Sequence, residues 1–295
     1  MTQTTPSSTV QWLRALRGVI ALAALAPVCL PAAPPQRIVS MNVCTDQLLL
    51  GLVDRDRIAS LSYIAADART SGIADDVDGI RLNRGIAEEI VALKPDLVVT
   101  GQFGFRPTVG MLRRLGITVL ELPMAETLAE VAENIRTLGA ALGVEAHAGE
   151  LAAAFEQRLD QLSYGGGGDR PLFVNYDANG WTTGQTGLLA DIVHRAGLAT
   201  PGDRLGFEPS KRITLEALVL LRPALIDLGY AWDDPPALAS EHHRHPALRA
   251  VLATARAVDV PDSAWLCGTP RSLGALEQLR AVRDEIAASG TDHRR

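Results

Sequence analysis

The fold of this chain is decided by the segment Glu88-Glu89-Ile90-Val91-Ala92-Leu93-Lys94-Pro95-Asp96-Leu97-Val98-Val99-Thr100. Pro95 cannot continue a helix, because its ring clashes with the preceding turn and its nitrogen carries no hydrogen. The apolar run from Leu97 to Val99 has strand length, and an unbroken run of this kind is typical of a strand covered on both faces. The segment therefore predicts a short helix, a turn at the proline and a buried strand.

A second segment, from Glu216 to Asp227, repeats the order of glutamate, apolar helix, basic residue, proline and apolar strand. In both copies the glutamate precedes the proline by seven residues. A repeat at such a long period indicates two copies of one α/β unit and not a solenoid. Strands alternate with helices through the rest of the chain, which predicts parallel βαβ units in each copy.

The first 33 residues form a segment that is separate from the α/β units. Arg14 and Arg17 precede an apolar run from Val19 to Leu30, which is shorter than the roughly 20 residues that span a bilayer. This pattern predicts a secretory signal peptide over residues 1–33, cleaved near Ala32 or Ala33. Acylation at Cys29 is the minority alternative, because the residues before it fit a lipobox poorly.

The repeated pattern Glu-x-Ile/Leu-Val-x-Leu-Lys/Arg-Pro resembles the periplasmic substrate-binding proteins for iron–siderophore complexes and vitamin B12, which serve ATP-binding-cassette importers. The resemblance covers about Arg37 to Ile286. It implies an α/β fold with two Rossmann-like lobes, each a parallel sheet flanked by helices, joined by one long helix. On this basis residues 34–143 form the N-terminal lobe, 144–164 the linker helix and 165–295 the C-terminal lobe.

The same resemblance implies a partner. In the family, one glutamate at the top of each lobe pairs with arginines of the membrane permease. Those positions match Glu88 and Glu216 here, with Glu89 adjacent to the first. We therefore expect a monomer of the periplasm that binds an importer's permease subunits.

The ligand is expected beyond the carboxyl ends of the strands, where open α/β sheets bind ligands. Aromatic residues are scarce, yet eight of them follow predicted strands, and such side chains suit a pocket for a bulky organic chelate. Two cysteines and one arginine share these loops. The predicted ligand-binding residues are Cys44, Tyr63, Phe103, Phe105, Arg106, Tyr176, Trp181, Tyr230, Trp232, Trp265 and Cys267. Iron–siderophore complexes are the first choice, corrinoids the second and haem the third.

Other classes of function find less support. The net charge is −6 and no run of Lys or Arg occurs, which argues against nucleic acid. A site for a free metal ion needs several converging ligands, but the proposed first lobe has no histidine. The cluster His242, His243 and His245 is interpreted as the lead into a helix. Nor is there a Gly-x-Ser-x-Gly or His-Glu-x-x-His motif. We therefore expect no cofactor and no metal site, and a chelatase-like enzyme remains the rival hypothesis.

Cys44 and Cys267 remain after the predicted cleavage. An oxidising compartment favours their pairing, and a bond requires Cα atoms within about 7 Å. Both follow predicted strands, one in each lobe, so we expect them to approach each other across the cleft. A disulfide, two free thiols and a thiolate site for the ligand's metal all stay open.

Overall fold

The N-terminal half forms a five-stranded parallel sheet with strand order β3-β2-β1-β4-β5. The structure, a computed structural model, describes residues 33–177, 180–229 and 245–292 from Ala33 onward. The strands are β1 (Ile38–Ser40), β2 (Ile58–Ser62), β3 (Leu82–Asn83), β4 (Leu97–Gly101) and β5 (Val119–Leu122). The helices that flank them are α1 (Val43–Leu52), α2 (Ala87–Ala92), α3 (Arg106–Arg114) and α4 (Leu128–Leu142).

The deciding segment folds as its residues predict. Helix α2 ends before Lys94, which adopts the left-handed conformation with φ 50°. The chain then turns at Pro95, and the Asp96 carboxylate accepts hydrogen bonds from the backbone N–H groups of Gln36 and Arg37 at 2.6 and 2.9 Å. These bonds align the start of β1 with β4. Strand β4 is buried and lies between β1 and β5, as its continuous apolar run requires.

The C-terminal half contains a smaller parallel sheet and a two-stranded antiparallel ribbon. The helices, in chain order, are α5 (Glu145–Leu162), α6 (Leu188–Arg195), α7 (Pro201–Leu205), α8 (Leu215–Leu221), α9 (Pro246–Leu252), α10 (Asp262–Trp265) and α11 (Ser272–Asp292). The parallel sheet has the order β10-β9-β6 and comprises β6 (Phe173–Asn175), β9 (Leu225–Asp227) and β10 (Arg256–Ala257). The ribbon pairs β7 (Trp181–Thr183) with β8 (Ser210–Arg212).

The second copy of the repeat reproduces the first in backbone detail. Helix α8 ends at Arg222, which is left-handed like Lys94, with φ 47°. Pro223 follows, and then the buried strand β9. A left-handed residue other than glycine is uncommon, so its occurrence at the same place in both copies confirms that the sequence repeat is a structural repeat.

One large hydrophobic cluster runs through both halves. The alanine-rich helix α5 lies within the predicted linker range 144–164 and packs against α4 on one side and α11 on the other. Phe155 of α5, Ile192 of α6 and Leu276 of α11 belong to the same buried cluster as Ile38 of β1. Residues 34–295 accordingly form one compact unit.

A hydrogen bond also crosses between the halves. The Asp191 carboxylate in α6 accepts from the backbone N–H of Leu128 at 2.8 Å, at the first turn of α4. The guanidinium of Arg195 donates to the same carboxylate at 2.9 Å. A half-buried carboxylate of one half therefore caps a helix of the other, which fixes their orientation along this edge.

Three short elements differ from the sequence expectation. Trp181, expected on a loop, lies in β7, and the sequence does not predict its partner strand β8. Both strands are three residues long and pair only with each other, so neither carries a period that sequence can reveal. Trp265, predicted on a loop, ends the short helix α10.

Candidate functional site

A cavity of about 500 Å³ lies between the two halves. We call it the interlobe cavity. Its first wall comes from the loops that follow β1, β4 and β5, together with the start of α1. Its second wall comes from the end of β7, the first turn of α6, the start of β8 and the segment around α10. The cavity therefore occupies the carboxyl edge of the first sheet, where the fold predicts a ligand.

The first wall is built by the cap of α1 and two loops. Asn42 caps the helix: its side-chain oxygen accepts from the backbone N–H of Cys44 at 2.9 Å. This places Cys44 and Thr45 on the wall. After β4, Gln102 and Phe103 line the cavity, and the Phe103 side chain is 59% exposed. An aromatic ring this accessible inside a concave site is available to contact a ligand.

The second wall presents a helix start and an aromatic residue. The first turn of α6, from Leu188 to Ala190, follows Gly187, whose φ of 100° suits glycine. Helix α6 has no side-chain cap, so its first N–H groups are available to an acceptor on a ligand. Trp265 and Leu266 complete this wall.

A disulfide joins the two walls. Cys44 of α1 is bonded to Cys267, with Cα atoms 5.0 Å apart. The prediction that these cysteines meet across the cleft is confirmed, and of the alternatives left open the structure shows the bonded one. Cys44 lines the cavity, whereas Cys267 is fully buried. Beside it, Gly268 packs so closely on Ala125 of the first half that a larger residue would clash.

The described lining residues carry almost no charge. They include no Lys, Arg or His, and their single carboxylate is that of Glu126. Polar groups are amides and hydroxyls, while the remainder is apolar. The uncharged polar side chains are those of Asn42, Thr45, Gln102, Asn134, Thr183, Thr186 and Ser210. Such a surface suits a large, mostly apolar ligand with amide or hydroxyl groups at its edge.

Besides Cys267, which is buried in the disulfide, the predicted ligand-binding residues divide into four groups. Cys44, Phe103 and Trp265 line the cavity. Tyr63 and Trp181 are exposed outside its lining, and Arg106 is an exposed residue at the start of α3. Tyr230 and Trp232 lie outside the described residues.

Phe105 and Tyr176, by contrast, serve the core. Phe105 is left-handed with φ 48° and packs against Gly85 and the cluster that contains Val109. Tyr176 is 2% exposed and belongs to the core of the second half. A position just after a strand therefore identifies the right end of the sheet, but it does not determine which way a ring points.

Sequence reasoning missed a third loop of the first wall. Pro123, Met124, Ala125 and Glu126 follow β5 and line the cavity, and the Met124 side chain is 58% exposed. The segment contains no aromatic residue, so a search for aromatics passes over it. Its place after the last predicted strand of the first half is the signal that points to it.

Buried carboxyl groups occupy the end of the second sheet. Burial is the main cause that raises the pKa of Asp227 to about 7, and it likewise raises the pKa of Asp177 to about 6. In the first half, burial raises the pKa of Asp46 to about 6, although hydrogen bonds from Ser40 and Ser62 oppose the shift. No group of three or more His, Cys, Asp or Glu side chains in the described part of the chain is arranged to hold a metal ion.

The histidine cluster is only partly described. His245 caps α9, where its Nδ1 accepts from the backbone N–H of Ala247 at 3.1 Å. This agrees with its interpretation as a helix lead-in, while His242 and His243 lie outside the described residues, as does the predicted signal peptide. None of the helices in residues 33–177, 180–229 and 245–292 combines the length and apolar character that a membrane span needs.

Glu88 and Glu216 occupy equivalent places. Each is exposed and is the second residue of its short helix, α2 or α8. Hydrogen bonds from its own backbone N–H and from Thr214 lower the pKa of Glu216. Glu89 differs from both, because its carboxylate accepts from the backbone N–H of Arg84 at 2.9 Å.

Comparison with known proteins identifies the fold. A "Cobalamin-binding protein" of Halobacterium salinarum is 26% identical over 212 residues, an alignment that covers 70% of this chain and 57% of that protein's length. The periplasmic heme-binding protein RhuT of Roseiflexus sp. RS-1 has 20% identity and a TM-score of 0.67, over 83% of this chain and 97% of that one. The periplasmic vitamin B12 binding protein of Vibrio cholerae has 20% identity and a TM-score of 0.61, over 84% and 96%.

These structures share the α/β architecture of parallel sheets flanked by helices. The family model described as "Periplasmic binding protein" matches residues 38–226, from β1 into β9. The match includes the first copy of the repeat, the second copy as far as Ile226, and both walls of the interlobe cavity up to β8. The chain therefore belongs to the periplasmic binding protein family, a family of substrate-binding proteins and not of enzymes.

Proposed function

We propose that this chain captures a bulky metal chelate in the interlobe cavity and delivers it to an ATP-binding-cassette importer outside the cytoplasmic membrane. The observation that carries the proposal is the cavity itself, an apolar site with amide and hydroxyl groups between two halves of a binding-protein fold. The disulfide between Cys44 and Cys267 supports an oxidising location such as the periplasm.

The charge of the cavity favours a corrinoid over the iron–siderophore complexes that the sequence ranked first. Many ferric siderophores and haem bring carboxylate or catecholate charges, and burying such a charge without a partner is costly. The described lining offers no cation for them, since Arg106 lies outside it. A corrinoid with neutral amide side chains matches the amides of Asn42 and Gln102 and the free N–H groups of α6. The relative from Halobacterium salinarum supports the same class by its name.

A thermal-shift comparison tests the ligand class. Cyanocobalamin, haemin and a ferric tris-catecholate are added separately, each in excess. A ligand at 100 times its Kd stabilises the native state by about 2.7 kcal/mol, so cyanocobalamin is expected to raise Tm and the other two to leave it unchanged. A larger shift with the catecholate would overturn the charge argument, and no shift with any of the three would reject chelate capture.

Two tryptophans provide a matched pair for mapping the site. Trp265 lines the cavity, whereas Trp181 lies outside its lining and is 43% exposed. Trp265→Ala should weaken cyanocobalamin binding about tenfold or more, because it removes a large aromatic contact. Trp181→Ala should leave the affinity within about twofold. Equal effects in isothermal titration would contradict the assignment of the cavity as the binding site.

We further propose that Glu88 and Glu216 contact basic residues of the importer's membrane subunits. Their equal positions in α2 and α8 support this role, and Glu88 is favoured over Glu89 because the Glu89 carboxylate already accepts a hydrogen bond from the backbone N–H of Arg84. A glutamate in a first turn also stabilises its helix through the macrodipole. Exposure at both sites nevertheless leaves each carboxylate accessible to a partner.

A further inference from the structure

Each half of the molecule carries one exposed cluster around its short helix, α2 or α8. Each cluster contains an aromatic residue, an arginine, a glutamate and a valine. The first rim cluster consists of Tyr63, Arg84, Glu88 and Val91. The second rim cluster consists of Trp181, Arg212, Glu216 and Val219. In both, the arginine stands four residues before the glutamate and the valine three residues after it. The sequence repeat therefore begins at the arginine, four residues before the glutamate that starts the repeated segment described above.

The arginines are held in the same manner. The Arg84 guanidinium lies 5.9 Å from the centre of the Tyr63 ring, and that of Arg212 lies 5.4 Å from the Trp181 ring. The aromatic partners come from unrelated segments, one after β2 and the other in β7. A cation–π contact at an exposed site restricts the arginine side chain, which reduces the entropy that a later contact would cost.

The arginine and the glutamate of each cluster do not form an ion pair with each other. An arginine and a glutamate four residues apart at a helix start often pair, yet among the described residues neither Arg84 nor Arg212 forms an ion pair. The valines are also accessible, with 38% of Val91 and 39% of Val219 exposed. Each cluster thus presents a cation, an anion and an apolar side chain to solvent.

We propose that the two rim clusters form a duplicated, two-charge docking surface for the importer's pair of membrane subunits. In each half the glutamate meets a basic group, the arginine meets an acidic group, and the valine packs between them. The proposal rests on the importer role above and extends it from two glutamates to two matched clusters. A surface repeated in both halves fits a partner that shows the same face twice, and opposite charges side by side fix the orientation of docking.

The clusters are not equal in apolar area. Leu220 follows Val219 and is 81% exposed, whereas the corresponding residue after Val91 is Ala92. The second rim cluster therefore offers more apolar contact, and its partner subunit should bury more surface.

Photo-crosslinking tests the proposal. The full chain carries p-benzoylphenylalanine in place of Val91 or of Val219, is expressed in its host and is irradiated. We expect both positions to give an adduct with the same membrane-embedded polypeptide. Arg84→Glu should then reduce the adduct at position 91, and Arg212→Glu the adduct at position 219, by about tenfold.

The double variant R114E/R170E is the matched control. It makes the same change in net charge with one exposed arginine from each half, Arg114 at the last position of α3 and Arg170 before the start of β6. It should leave both adducts unchanged. If E88R/E216R abolishes the adducts while R84E/R212E does not, the arginines have no docking role and the proposal is wrong. Adducts with a second copy of this chain, or with two unrelated polypeptides, would also overturn it.

Failure of the ligand hypothesis would be seen separately. Each variant is mixed with cyanocobalamin in the thermal-shift assay, and the arginine variants should respond like the unmodified chain, because neither arginine lines the cavity. If cyanocobalamin does not raise the Tm of the unmodified chain, the corrinoid hypothesis is rejected, and the interpretation of the crosslinked adducts is unaffected.

Discussion

Removing the disulfide between Cys44 and Cys267 should lower the stability of the folded chain strongly. The bond joins residues separated by 223 positions, so it closes a very long loop in the unfolded chain. The chain-entropy relation for a loop of that length gives about 5 kcal/mol at 25 °C. The expected result for C44A/C267A is a loss of about that size in the free energy of unfolding, and a fall in Tm of about 10–20 °C.

Urea unfolding at pH 7, followed by tryptophan fluorescence, measures this effect. Alanine is chosen because Cys267 is fully buried, and a serine hydroxyl there would add its own cost. Two controls isolate the cross-link. Dithiothreitol should bring the unmodified chain to the midpoint of the variant, and it should leave the variant unchanged.

Thiol counting gives an independent check. A chain that begins at residue 34 and is unfolded without reductant should show no free thiol, and two after reduction. If the unmodified chain and C44A/C267A unfold at the same urea concentration, the bond does not constrain the unfolded chain and the reasoning fails.

Two further predictions follow from buried charge and backbone conformation. The pKa of Asp227 is raised from 3.8 to about 7, so the folded chain binds more protons than the unfolded one between those values and becomes less stable as the pH rises from about 4 to 7. Asp227→Asn should remove about 2–4 kcal/mol of this loss of stability. The prediction is contradicted if the urea midpoint of the variant falls between pH 4 and pH 8 by as much as that of the unmodified chain. Lys94 and Arg222 are left-handed, so Lys94→Gly and Arg222→Gly should each stabilise the chain by about 0.5–1 kcal/mol. Glu133→Gly within α4 should instead cost about 1 kcal/mol, and a loss at all three sites would show that the left-handed residues carry no strain.

The architecture was largely readable from sequence because it depends on local order. A helix, a proline and an apolar run recur at Glu88 and at Glu216, and the strands and helices around them alternate as parallel sheets require. The long helix over residues 145–162 is rich in alanine, and Phe155 and Leu159 recur along it at helical spacing. These features are properties of neighbouring residues, so a single sequence contains them.

The candidate site was less predictable, since it depends on side-chain direction and on contacts between distant segments. Trp181 and Trp265 look alike in sequence, each among small and polar residues. Pairing of β7 with β8 places Trp181 opposite Arg212 on an exposed ribbon, while α10 places Trp265 in the cavity wall. Arg212, the partner of Trp181, lies about thirty residues away in the chain, and no local periodicity in the sequence indicates the pairing.

The buried cluster that runs through both halves includes side chains of the last helix, so the packing of the first half is complete only when that helix is in place. Leu276 and Leu279 of α11 pack in the same cluster as Leu49 of α1 and Phe155 of α5. A chain that has not yet gained residues 272–286 would expose apolar side chains in both halves. We therefore expect the two halves to complete their packing together and not one after the other.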